Sequence, residues 1–198
     1  MRSRTMTAAV VLGLLALALT ASALQSEKPA AKPSAPEGMP PIPQPGPEHA
    51  VLKNDEGTWD ATVEMMMGPP GAPPTVSKGV ETNTLVGGMW LVTDFKSTMM
   101  DQPFQGHGIA GWDAGKKKYV SNWVDNMSTG FSLGESTYDP ATKTMAGWME
   151  GPDMTGKVSK MRSVVEYKDP ETRVFSMYMT GPDGKEAQTM KITYKRRK

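Results

Sequence analysis

From Gly57 to Lys195 apolar and polar residues alternate with a period of two, in runs that end on glycine, proline or aspartate. A period of two sets successive side chains on opposite faces of a strand, whereas a helix needs 3.6-residue spacing. No stretch keeps the helical spacing long enough for a crossover helix, which argues against parallel sheets. The runs predict ten strands, at about Gly57–Met67, Val76–Val86, Met89–Thr98, Gln102–Trp112, Lys117–Asn126, Thr129–Tyr138, Thr142–Glu150, Lys157–Tyr167, Thr172–Thr180 and Lys185–Lys195. Between them lie segments such as Gly87-Gly88, Asp113-Ala114-Gly115, Asp139-Pro140, Asp169-Pro170 and Gly181-Pro182-Asp183-Gly184. Glycine supplies positive φ there, proline presets φ, and aspartate bonds the backbone that follows it. A lead-in at 48–56 predicts one helical turn with Val51 and Leu52 facing the core.

Ten sequential antiparallel strands left open would expose two sheet edges, and closure removes both. The expected fold is therefore all-β: a single antiparallel up-and-down β-barrel of about ten strands. A barrel of that size either fills its interior with side chains or holds one small ligand.

The segment before the strands reads differently. Met1-Arg2-Ser3-Arg4 is basic, Ala8 to Leu19 is apolar, and Ala21-Ser22-Ala23 ends the run. These are the n-region, h-region and cleavage site of a secretory signal. The apolar run is shorter than the ~20 residues a membrane helix needs. The expected organisation is a signal peptide at 1–23, a Pro/Ala-rich extended linker at 24–47 and a barrel domain at 48–198. The expected location is exported, periplasmic or secreted, with no integral membrane span after cleavage. The sequence contains no cysteine, so an exported chain of this kind must rely on its core rather than on disulfides. A net charge of +1 with interspersed signs gives no reason to expect a nucleic-acid partner.

Several motifs occur in order along the domain: Gly57-Thr58-Trp59, Gly87-Gly88-Met89-Trp90-Leu91, Gly108-Ile109-Ala110-Gly111-Trp112-Asp113, Lys118-Tyr119-Val120 and Trp123-Val124-Asp125. The end carries Gly184-Lys185-Glu186 and Met190-Lys191-Ile192-Thr193-Tyr194-Lys195-Arg196. In this order the chain resembles the bacterial DUF1579 family over most of 48–198. The resemblance implies a lipocalin-like β-barrel and no assigned activity.

Alternation also assigns faces. Trp59, Ala61, Val63 and Met65 share one face of the first strand, and Tyr119, Ser121, Trp123 and Asp125 share one face of the fifth. Phe131, Leu133 and Glu135 group together, as do Ala146, Trp148 and Glu150, and Glu186, Gln188, Met190, Ile192 and Tyr194. If aromatic residues mark the interior, Asp125, Glu135 and Glu186 travel inward with them. A buried carboxylate needs a partner, and Arg162 is the inward candidate. The predicted ligand-binding set is Trp59, Trp90, Trp123 and Trp148 as apolar lining, with Asp125, Glu135, Arg162 and Glu186 as polar contacts.

Other chemistry is poorly served. His107, one of two histidines, falls opposite Phe104 and Trp112 and has no second ligand beside it, so neither haem nor metal is expected. The seventeen methionines are scattered at single positions, which fits adaptable core filling better than a copper site. Gly106-His107-Gly108-Ile109-Ala110-Gly111 spells G-x-G-x-x-G but lies within a strand and opens no helix, so it is not a dinucleotide loop. No Gly-x-Ser-x-Gly or other nucleophile motif is present. No catalytic residue or cofactor is assigned. The sequence reading is non-catalytic binding of a small apolar or amphipathic molecule; a carboxylate-based enzyme and a filled barrel acting as an envelope scaffold are the alternatives.

Overall fold

Ten antiparallel strands close into one barrel in the computed structural model, which describes residues 38, 40–69, 71–152, 156–181 and 183–198. In chain order they are β1 (Gly57–Met65), β2 (Thr75–Val86), β3 (Trp90–Met99), β4 (Gln102–Asp113) and β5 (Lys118–Asp125), then β6 (Ser132–Asp139), β7 (Thr144–Pro152), β8 (Val158–Asp169), β9 (Thr172–Thr180) and β10 (Glu186–Arg196). Each strand pairs with its sequence neighbours, and β1 pairs with β10 from Trp59↔Arg196 to Met65↔Met190, so no edge is left open. Residues 43–198 form one compact unit. The predicted signal segment lies outside the described residues, as does the predicted linker up to residue 37. No helix among the described residues is long and apolar enough to cross a membrane.

The two ends of the barrel differ. At one end the connections are short. Asp113 Oδ1 accepts from the backbone N–H of Gly115 and of Lys116, both at 2.9 Å. Asp139 and Asp169 hold their turns in the same way through Ala141 and Glu171. Gly87 and Gly88, with φ of +60° and +71°, are the central residues of the tight turn that Met89 N closes on Val86 O at 3.1 Å. A helical turn, α1 (Ala50–Lys53), plugs this end with Val51 and Leu52, both buried against Tyr119. The plug is tied in place: the Tyr119 hydroxyl donates to Glu48 O at 2.6 Å, and Arg196 donates to Glu56 O and Asn54 O.

The opposite end carries the β1–β2, β5–β6, β7–β8 and β9–β10 connections, together with the tight turn at Met100-Asp101. Below it the wall is packed around Trp59, Ala61, Val63, Phe95, Ile192 and Tyr194. Trp59, the most deeply buried large side chain, donates its indole N–H to Asp55 O at 2.9 Å and so fixes α1 to the start of β1.

Candidate functional site

The interior holds a cavity of about 510 Å³ that runs from Leu52 and Tyr119 at the plugged end to Met67, Met100 and Met127 at the open end. Those three methionines are also exposed to solvent, which places them at the rim. Among the described residues eleven methionines border the cavity, including Met65, Met99, Met149, Met161, Met177 and Met190. Interleaved with them are Phe95, Phe104, Trp123 and Phe175, and hydroxyls from Ser77, Ser97, Ser121, Ser132 and Ser163. This is the composition of a small-molecule pocket, apolar with a few polar groups, and its volume falls within the ~300–1,000 Å³ usual for one. Thioether side chains have three rotatable bonds and a polarisable sulfur, so such a wall adapts to more than one ligand shape.

The floor is chemically distinct. Arg173 on β9 donates to Glu81 on β2, and its Nε faces Asp55 Oδ1 at 3.2 Å. Asp55 Oδ2 accepts from the Tyr167 hydroxyl at 2.9 Å. Asn83 donates to Glu81 Oε1 at 2.7 Å and to Asp55 O at 2.9 Å, and its own oxygen accepts from Thr93. The guanidinium also lies over the rings of Tyr194 and Trp59, at 4.2 and 4.7 Å. Burial pushes the Asp55 carboxyl above its usual range, although Arg173 and Tyr167 pull against it. Burial likewise lifts the Tyr167 and Tyr194 phenols well above theirs. Two carboxylates thus share one cation in a site where unpaired charge is costly.

Near the open end, Trp123 lies flat against β4. A Cβ on Gly106 would stand 2.1 Å from its ring, and one on Gly108 would stand 3.1 Å from it. Glycine at these two positions makes room for the indole. The indole N–H donates to Asp125 Oδ2 at 3.0 Å, while Asp125 Oδ1 accepts from Met127 N at 2.9 Å. Asp125 therefore fixes both the ring and the start of the rim loop. The Met100-Asp101 turn places two non-glycine residues at φ of 50° and 61°. That conformation costs an L-residue roughly 1–2 kcal/mol, less for aspartate.

The eight residues predicted for ligand contact separate. Trp123 and Asp125 face the cavity. Trp59 points inward but is sealed in the core at 1% exposure. Of the other five, Trp90, Arg162 and Glu186 were expected inside and do not border the cavity, whereas Trp148 and Glu135 border it while their side chains find their partners on the outer face. Trp90 is 41% exposed and covers Gly111 of the neighbouring strand. Trp148 lies outside beneath Lys160, whose Nζ is 4.2 Å from the ring centroid, because β7 turns Met145, Gly147 and Met149 inward instead. Its cross-strand partner Glu135 is held by Lys116 and Lys118 at 2.8 and 2.9 Å, which lowers its carboxyl to about 2. Arg162 does pair with Glu186, at 2.8 and 2.6 Å, but across the outside of β9 and over Tyr178. The cause on β10 is a bulge between Gln188 and Met190, which reverses the alternation and leaves Glu186 outside while Met190, Ile192 and Tyr194 stay in. His107 is exposed beside Asp94 and Gln105, away from the cavity. The described residues contain no group of three or more His, Cys, Asp or Glu able to hold a metal.

Sequence reasoning missed the floor: Asp55, Glu81, Asn83 and Arg173. On β2 the valines Val76, Val80 and Val86 share the outward face, so an apolar-inside rule points the wrong way. The available signal was pairing with β1, where Trp59 stands opposite Glu81.

A closed antiparallel barrel with a plugged floor and an apolar internal cavity is thus the class that fold and site define. The chain belongs to the DUF1579 family, described as a protein of unknown function, which matches residues 44–196. Its fold is also that of Rv2717c from M. tuberculosis, whose crystal structure superposes with a TM-score of 0.58 at 12% identity, covering 77% of this chain and 99% of that one. A redesigned beta barrel, b11L5F_LGL, is similar at a TM-score of 0.40 and 16% identity, covering 76% of this chain and 95% of the other. EF1p2_mFAP2b bound to DFHBI gives 0.40 and 13%, covering 75% and 98%. Comparison with curated proteins finds no match.

Proposed function

We propose that this protein is an exported binder of one small apolar or amphipathic molecule, held in the barrel without catalysis. The observation that carries the reading is the methionine-lined cavity of about 510 Å³, open at the rim and sealed by α1 at the floor. The engagement of the interior carboxylates supports it further. Asp55 and Glu81 are occupied by Arg173, and Asp125 by Trp123 and the rim loop. Export rests on the basic start, the apolar run and Ala21-Ser22-Ala23; the mature chain would begin at Leu24, which intact-mass measurement on protein from its own host checks directly.

The test of binding is titration with N-phenyl-1-naphthylamine, a neutral dye that brightens in apolar sites. One site per chain is expected. Ser163→Phe, which pushes a ring into the cavity from β8, should abolish the signal while leaving a cooperative melt. Absence of saturable binding, or unchanged binding in that variant, contradicts the proposal.

A further inference from the structure

We infer that the cavity discriminates by charge, accepting neutral or cationic single-chain amphiphiles and rejecting anionic ones such as fatty-acid carboxylates; this rests on the binding reading above. Among the described residues that border the cavity there is no lysine and one arginine, Arg173. That cation is not available to a ligand. It already donates to Glu81 and faces Asp55, so the floor presents two carboxylates for one positive charge. The carboxylate near the rim, Asp125, has only neutral donors, the Trp123 indole and the Met127 amide. Glu135 also borders the wall, but its charge is answered outside by Lys116 and Lys118.

An anionic head group entering this space would lose its water and find no free cation, the costly case for a buried charge. A hydroxyl head finds partners in the serine hydroxyls of the upper wall. An ammonium finds those and Asp125 as well. The tail has room: β3 borders the cavity from Leu91 to Met99, eight residue steps, or about 26 Å along the strand and about 20 Å along the axis at a ~40° tilt. The head group is therefore placed at the Asp125 end and the chain along Phe95 and Met161. Exposed charges on the connections at this end are of both signs, Asp101 and Asp183 as well as Lys157 and Lys185.

Three probes of equal chain length separate the cases: dodecylamine, 1-dodecanol and dodecanoate, each competing against N-phenyl-1-naphthylamine at pH 7.5, where the amine and the carboxylate are both ionised. The expected order is amine at least equal to alcohol, with dodecanoate at least ten-fold weaker than the alcohol. Asp125→Asn should bring amine and alcohol together. Thr75→Lys, which adds a cation on the inward face at the rim, should raise dodecanoate affinity at least five-fold and does not depend on Asp125 for folding. Dodecanoate binding as tightly as dodecanol in the native chain overturns the inference while leaving the binding reading intact. If the dye itself finds no site, the binding reading fails and this inference falls with it. If the dye binds but none of the three displaces it, a ligand of this class is excluded.

Discussion

The two ends of the barrel solve opposite problems with the same strands. At the floor charge meets charge: Arg173 pairs with Glu81 and Asp55, Tyr167 bonds Asp55, Asn83 bonds Thr93, and α1 is tied down by Tyr119, Trp59 and Arg196. Asp55 Oδ1 and Arg173 Nε, which face each other as an ion pair, make no hydrogen bond. Toward the rim the wall is methionine and serine, the turn at Met100-Asp101 is strained, and one carboxylate holds the loop. A buried ion network fixes one geometry, because displacing any member strands the others. Thioethers have no such requirement and repack at little cost. Rigidity at one end and tolerance at the other is the layout of a cup.

The contrast predicts a graded series of effects. Arg173→Met leaves Asp55 and Glu81 buried without a cation, and should cost about 3–5 kcal/mol in urea unfolding; a loss below about 1 kcal/mol would mean the floor is not the fixed end. Gly106→Ala drives a methyl into the Trp123 ring and should cost about 1–3 kcal/mol. Most of that cost should vanish in the Trp123→Ala background, so a double-mutant cycle reads the contact itself.

The floor also carries a pH signature. Burial raises the Asp55 carboxyl in the folded chain above its unfolded value near 3.8, so the folded state holds the proton more tightly. The contribution of Asp55 is then fully present below that value and declines as pH rises through the folded one. The stability of the native chain relative to Asp55→Asn should therefore fall as pH rises above the unfolded carboxyl value, and a flat difference would contradict the assignment. Met100→Gly should relieve the left-handed strain and stabilise the fold by about 0.5–1 kcal/mol, yet weaken dye binding because a rim thioether is lost. Smallest of all, Arg162→Ala should change stability by no more than about 1 kcal/mol, since its pairing with Glu186 is on the open outer surface.

The same two ends explain what the sequence made legible. Strand number, order and turn positions follow from local chemistry, period two punctuated by glycine and aspartate, and β1 to β10 form where those signals lie. Facing was legible where apolar and polar residues separate cleanly, as in Trp59-Ala61-Val63 and Tyr119-Ser121-Trp123. It failed where tryptophan was taken as the inward marker. On β3 and β7 the outer wall shelters the indole, under Lys160 for Trp148 and over Gly111 for Trp90, while methionine and small residues face in. It failed again at Glu186, because a one-residue bulge leaves no signature in the alternation itself. The floor was hidden for a third reason: Asp55, Glu81 and Arg173 are far apart in sequence and meet only once the barrel closes.

The account turns on a hollow, methionine-lined interior. Methyl-13C methionine labelling reads that interior residue by residue as N-phenyl-1-naphthylamine is added. Met149, Met161, Met177 and Met190, which border the cavity, should shift together and saturate at one dye per chain, while Met66 and Met89, which do not border it, stay fixed. Shifts confined to Met66 and Met89, or no saturable shift at the cavity methionines, would contradict it.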